Sequence, residues 1–123
     1  MIEILEPNFI FADDRGKLIQ LVREGYKQIN VVHSKAGALR GGHSHNFNKE
    51  AFYIIEGSLT LKLNQDGKKE EYSFSAGDMF AIKPGVIHSF NFLTDTLLVG
   101  MYDKGVEMED GSKDILPQGD ERP

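Results

Sequence analysis

The sequence predicts an all-β fold, a sandwich or small barrel of short strands. Three observations carry that expectation. Apolar and polar residues alternate in short runs, the two-residue period of a strand with one buried face. Clusters of Gly, Asp, Asn and Pro separate these runs at nearly regular intervals. No segment repeats apolar residues at the three-and-four spacing of an amphipathic helix.

Taken in order, Met1 to Leu5 is a short apolar and acidic run, expected as an edge strand, and Pro7-Asn8 breaks it. Phe9 to Ala12 leads into Asp13-Asp14-Arg15-Gly16, a turn by its Asp and Gly content. Lys17 to Val22 reads as a strand, and Glu24-Gly25 as the next turn. Lys27 to His33 alternates, with Ile29, Val31 and His33 on one side. Ser34 to Gly37 turns the chain into a strand holding His43 and His45, and Glu50 to Gly57 forms the strand after it. Ser58 to Asn64 places Leu59, Leu61 and Leu63 on one face. Gln65-Asp66-Gly67 is a hairpin signal, with Lys69 to Ser75 returning from it. Met79 to Lys83 is short and apolar, and His88 to Phe92 puts His88, Phe90 and Phe92 on one face. Thr96 to Tyr102 is apolar enough to be buried on both faces. The strands make one unit over residues 1–103. Residues 104–123 are acidic, with Ile115-Leu116-Pro117 as the apolar anchor, and read as a partly ordered tail.

A chain of 123 residues suits one domain. It can bury roughly two-thirds of its unfolded surface, enough for a core without staples. There is no Cys, which excludes disulfides, thiolate metal sites and a Cys nucleophile. No leader-like start and no apolar run of membrane-spanning length is evident, so the expected location is cytoplasmic. The net charge of −5 argues against a broad nucleic-acid surface, and no membrane partner is expected.

The chemistry gathers between Gly37 and Gly57. His43 and His45 are one residue apart, so in a strand both imidazoles point to the same side. Glu50 shares a strand face with Phe52 and Ile54, and an inward turn of that face adds a carboxylate. His88, after Pro84-Gly85, can supply a third imidazole. Three neutral nitrogens and one carboxylate suit a divalent first-row ion, and do not choose among zinc, iron, manganese and nickel.

These residues also resemble a known family. Gly37, five residues, His43-x-His45, four residues, Glu50, six residues and Gly57 is similar to the first cupin motif at every anchor. Gly77, Pro84-Gly85 and His88 are similar to the second, with Lys83 where a Pro is usual and Phe92 where an Asn is usual. The span from Gly37 to Phe92 is a little under half the chain. The resemblance implies a double-stranded β-helix, the jelly-roll barrel, and one divalent metal ion held by His43, His45, Glu50 and His88. Asp14-Arg15-Gly16 followed by Arg40-Gly41-x-His43 resembles sugar-nucleotide epimerases and ketoisomerases of the superfamily. The stretch from Gln28 to Phe52 is especially similar to the metal-binding cupin domain of a bifunctional capsular-polysaccharide enzyme. In rhamnose-pathway epimerases the residue matching His43 is implied to be a base, and in metal-binding relatives a ligand. One His does not easily do both, because a ligated nitrogen has no lone pair left for a proton, and the neighbours His45 and Glu50 favour ligation here.

Around that core, Arg40 is the candidate for gripping a phosphate or carboxylate. Strict alternation turns it away from His43, and a bulge at Gly41-Gly42 would re-aim it. Phe90 and Phe92 are candidates for lining a substrate pocket, with ordinary core as the competing role. No base is identifiable; His33 and Tyr102 are the weak candidates. Three functions remain open at this level. One is metal-assisted epimerisation or isomerisation of a sugar-like or sugar-nucleotide substrate. The second is an iron-dependent dioxygenase, and the third a non-catalytic module for a small ligand. Cupins commonly pair, and an exposed edge at Met1 to Leu5 suits a homodimer.

Overall fold

The computed structural model describes residues 1–117, and every regular element in them is a strand. Alternation does what the sequence implies: it gives each strand an inner and an outer face, and two sheets close their inner faces on one core. The strands are β1 (Ile2–Leu5), β2 (Phe9–Asp13), β3 (Gly16–Gln20), β4 (Gln28–Ser34), β5 (Leu39–Ser44) and β6 (Glu50–Glu56). They continue with β7 (Ser58–Gln65), β8 (Lys68–Ser75), β9 (Met79–Ile82), β10 (Ile87–Phe92), β11 (Thr96–Tyr102) and β12 (Leu116–Pro117). One five-stranded sheet runs β1-β9-β6-β11-β4, and the other runs β12-β5-β10-β7-β8. Every pairing is antiparallel, and the chain passes repeatedly between the sheets, the jelly-roll arrangement. β1 is an edge strand whose other neighbour would lie outside the sheet.

The inner faces meet in an aromatic and aliphatic core. Leu59, Leu61 and Leu63 from β7 face Phe52 and Ile54 from β6, with Phe74, Phe80, Phe90 and Phe92 between them. Phe74 stacks on Phe80 with ring centres 4.1 Å apart, and Phe80 on Phe52 at 5.2 Å. Each fully buried Leu or Phe contributes about 1.5–3 kcal/mol of transfer free energy, so this cluster dominates the fold's stability. The hairpin expected at residues 65–67 joins β7 to β8, with Asp66 and Gly67 both in the left-handed region at φ 53° and 82°.

The first sheet is covered on its outer face as well. Ala51, Tyr53, Met79, Ala81 and Met101 lie under Leu5, Ile19, Leu21, Val22 and Tyr26. This second layer explains why β6 and β11 are apolar on both sides. The hairpin β2-β3 extends beyond it, with Phe9, Ile10, Phe11 and Leu18 exposed.

The expectation of a loose tail fails for residues 104–117. β12 pairs with β5, and a bridge joins Glu107 to Lys113. Val106 N–H donates to Gln28 Oε1, and Asp114 is buried. Polar side chains of the segment find backbone partners on the barrel, which composition alone does not reveal. The rest of the tail, residues 118–123, lies outside the described residues. Among the described residues no helix is long and apolar enough to cross a membrane.

Candidate metal centre

Three strands and one turn bring four distant residues together. His43 on β5 is paired in register with His88 on β10. Facing residues in an antiparallel pair put their side chains on the same side, so both rings point into the barrel. Glu50 opens β6 in the other sheet, and alternation places it inward beside Phe52 and Ile54. His45 follows the end of β5 and faces back toward the same point. The nitrogens and carboxylate oxygen these four residues offer all lie within 4.8 Å of one another. Ring centres are 4.6 Å apart for His43 and His88, and 5.0 Å for His43 and His45.

The glycines before His43 set this geometry. Pairing runs His88 to His43 and then Ser89 to Gly41, so Gly42 is an extra residue in β5. Gly41 and Gly42 take φ 105° and 71°, the left-handed side that a bulge of this kind uses. The skipped residue restores Arg40 to the inner face, opposite the core residue Phe90. Its guanidinium then spans the gap between the sheets. Nε donates to Ser34 Oγ at 2.8 Å and Nη2 to the His33 carbonyl at 3.0 Å. Arg40 is exposed and lines a surface hollow with His33, Ser34 and Glu56, with donors to spare.

Proton accounting gives the cluster its chemical character. A carbonyl oxygen only accepts, so each imidazole that meets one must donate. His45 Nδ1–H donates to the Asp114 carbonyl at 2.6 Å, and His88 Nδ1–H to the Val86 carbonyl at 3.0 Å. The Nε2 atoms of His45 and His88 lie 3.1 and 3.4 Å from one oxygen, Glu50 Oε1. In neutral rings those Nε2 atoms carry lone pairs, and they face a carboxylate. His45, His88 and Glu50 are only 2%, 1% and 6% exposed, so bulk water does not screen the repulsion. A proton or a cation must sit among them. His88 Nε2 has no hydrogen-bond partner; its approach to Glu50 is close enough for an ion pair but lacks hydrogen-bond geometry. An orphaned, buried nitrogen beside a carboxylate fits a bound divalent ion.

The titration behaviour follows from the same contacts. Burial pushes Glu50 up, but the His45 hydrogen bond and the close approach of His88 outweigh it and hold the carboxyl down at about 2. Burial lowers His43, and the nearby charges of His88 and His45 lower it further, to about 4. Burial also works to lower His45, yet the Glu50 hydrogen bond and the Asp114 carbonyl leave it above the usual histidine value. The cluster therefore holds an ionised carboxylate, a neutral His43 and one site, on His45, where a proton competes for the ion's position.

The remaining candidates separate clearly. Tyr102 pairs in register with Glu50, and its ring centre is 5.2 Å from that of His45. Burial and then the charge of Glu50 raise its pKa far above that of a free phenol, so its hydroxyl stays protonated beside the cluster. His33 is exposed, beside Arg40 and Glu56 in a surface hollow, and is not brought to the cluster. Phe90 lies next to His88, with ring centres 6.1 Å apart, while Phe92 is packed beyond it in the core. Neither offers a face to solvent, so packing, not pocket lining, is what the structure gives them.

One participant escaped the sequence. Asp114 reaches the site from the segment read as a tail, and no local pattern marks it.

Comparison with known proteins agrees with this architecture. The model of the cupin domain matches residues 30–101. A search of curated protein sequences returns no match. Among solved structures, a 3,4-ketoisomerase from Helicobacter canadensis superposes with a TM-score of 0.80 at 20% identity, covering 98% of this chain and 92% of that one. The sugar 3,4-ketoisomerase QdtA from Thermoanaerobacterium thermosaccharolyticum, in complex with TDP, gives 0.78 at 17% identity, covering 97% and 89%. A dTDP-4-dehydrorhamnose 3,5-epimerase from Sulfolobus tokodaii gives 0.70 at 20% identity, covering 82% and 69%. At these identities the likeness speaks for the fold. With two sheets rolled face to face, a histidine pair at the head of the first motif and more than half of its length matched, the chain belongs to the cupin family.

Proposed function

We propose that this cupin binds one divalent metal ion through His43, His45, Glu50 and His88 and epimerises or isomerises a small sugar or sugar-nucleotide substrate. One observation carries the metal reading: two buried imidazoles, each with its Nδ1 proton spent on a carbonyl, aim their remaining nitrogens at one buried carboxylate oxygen. When bound, the ion supplies a Lewis acid that polarises a substrate carbonyl and makes the neighbouring C–H acidic. The chain's own residues do the rest. Tyr102, paired in register with Glu50, keeps a protonated hydroxyl beside that carboxylate. Arg40, exposed and held by Ser34 and the His33 carbonyl, offers its remaining donors to a phosphate or carboxylate of the substrate. His43, half-buried, marks the side of the cluster from which a ligand approaches. The ketoisomerase and epimerase neighbours, one solved with TDP and one with TDP-4-keto-6-deoxyglucose, favour a sugar-nucleotide substrate class.

The test has two parts. Elemental analysis of the native protein and of His43→Ala should find about one ion per chain in the first and little in the second. Candidate keto-sugars and sugar nucleotides, incubated in deuterated water, should take up deuterium next to the carbonyl. Ion binding without exchange in any of them would favour a non-catalytic binding module. Oxygen uptake after iron reconstitution would favour a dioxygenase.

The same reading includes a cytoplasmic homodimer. A two-stranded hairpin is marginal alone in water. Yet Phe9 and Phe11 on β2 are each 50% exposed, and Ile29 and Val31 are exposed on the edge strand β4. A second copy that covers these residues supports the hairpin better than the β1 edge alone does.

A further inference from the structure

Residues 103–117 run from the first sheet to the second, and the crossing is fastened at Asp114. Its own N–H donates to the Val106 carbonyl at 2.8 Å. Its carboxylate collects the turn that follows His45: Oδ1 accepts from the Asn46 N–H at 2.7 Å. Oδ2 accepts from the N–H groups of Phe47 and Asn48, both at 3.0 Å, and from Asn48 Nδ2 at 2.8 Å. Asn48, itself buried, returns the grip. Its Oδ1 accepts from the N–H groups of Lys104 and Gly105, each at 3.0 Å. Nothing in this arrangement is needed to close the barrel, whose two sheets already share a core.

The carbonyl of the same residue meets His45. At 2.6 Å it is the shorter of the ring's two contacts with acceptors, Glu50 Oε1 being at 3.1 Å, and it therefore favours the imidazole proton on Nδ1. A ring held this way has one nitrogen left, and its orientation leaves that nitrogen 3.1 Å from Glu50 Oε1. One residue therefore sets both the tautomer, through its main chain, and the place of the ring, through its side chain. Partners that orient a ligating histidine in this manner typically change metal affinity about 10- to 100-fold when removed.

We infer that Asp114 is a positioning residue for His45, presenting the Nε2 lone pair to whatever cation the cluster holds. The affinity arm of the test rests on the metal reading above, and the tautomer arm does not. Full-length protein labelled with ¹⁵N-histidine is freed of metal and observed at alkaline pH, where the rings are neutral. His45 is assigned by the signal lost in His45→Gln. The wild type should show the Nδ1–H form of His45. Asp114→Ala, and Asp114→Asn should the first fail to fold, should show both forms in exchange. Zinc affinity, measured by competition with a coloured chelator, should fall about 10- to 100-fold in the same folded variant. A residue that merely ties down the segment would lower the melting temperature and leave both readouts where they were. A wild-type His45 in the Nε2–H form, or a folded Asp114 variant with unchanged tautomer and zinc affinity, would overturn the inference. Should the wild type take up no zinc, the metal reading fails, and the tautomer comparison still decides the role of Asp114.

Discussion

Replacing Gly41 by Ala asks whether the bulge in β5 aims the histidine strand. Gly41 sits at φ 105°, where an L side chain is strained by about 1–3 kcal/mol. The added Cβ would also stand 2.6 Å from the His88 carbonyl oxygen and 2.9 Å from Ser89 Cα. Both are backbone atoms, so β10 or β5 must shift, and overpacking of this kind costs about 1–3 kcal/mol more. The expected loss is therefore about 4 kcal/mol, a large part of the stability of one domain. Gly77 provides the control. Its φ is 92°, and nothing lies within 4 Å of a Cβ there, so Ala at that position meets only the dihedral strain. Urea unfolding of both variants and the wild type, followed by circular dichroism, should place Gly41→Ala about 1–3 kcal/mol below Gly77→Ala. Zinc affinity should fall in Gly41→Ala alone, because the shift displaces His88 relative to His43. Equal losses in the two variants, with zinc affinity intact in both, would refute the reasoning.

Other expectations follow from the same contacts. Zinc binding should weaken about tenfold per pH unit once pH falls below the raised His45 value, because a proton then competes for Nε2; titrations at successive pH values check this, and a flat profile would contradict it. In metal-free protein the two linkages have opposite signs. The depressed Glu50 contributes stability above its ordinary value of 4.5, lost as pH falls through about 2, while the raised His45 contributes stability below 6.5, lost as pH rises through its folded value. The lowered His43 loses stability as pH falls from 6.5 through about 4, so denaturation midpoints without metal should peak close to the ordinary histidine value of 6.5. Phe11→Asp, on the exposed hairpin, should leave a single-chain mass by sedimentation at a concentration where the wild type is twice as heavy.

Much of the site was legible because strand geometry is periodic. An i, i+2 histidine pair, a carboxylate heading the next strand and a histidine behind a Pro-Gly turn are local patterns, and the antiparallel register brings them together. Arg40 was legible only conditionally. Alternation turned it outward, and the two glycines that let the chain slip by one residue decided the matter. Asp114 was not legible at all, since its partners are backbone N–H groups 66 to 68 residues away, and backbone amides leave no mark in a sequence. Phe90 and Phe92 show a different limit: the face they share with His88 runs straight from the cluster into the core, and alternation does not say where one ends. Composition misled for residues 104–117, because acidic side chains that hydrogen-bond inward look the same in sequence as those that face water.

The four residues of the cluster do not stand on equally stiff supports. Glu50 opens a strand in which every residue to Ile54 is buried, flanked by β9 and β11 and covered on both faces. His43 hangs from a strand interrupted by an extra glycine. The carboxylate is thus the fixed reference point and His43 the adjustable partner. Were the cluster to take ions of different radius, the accommodation would fall to β5 and its glycine joint, and the carboxylate would keep its address.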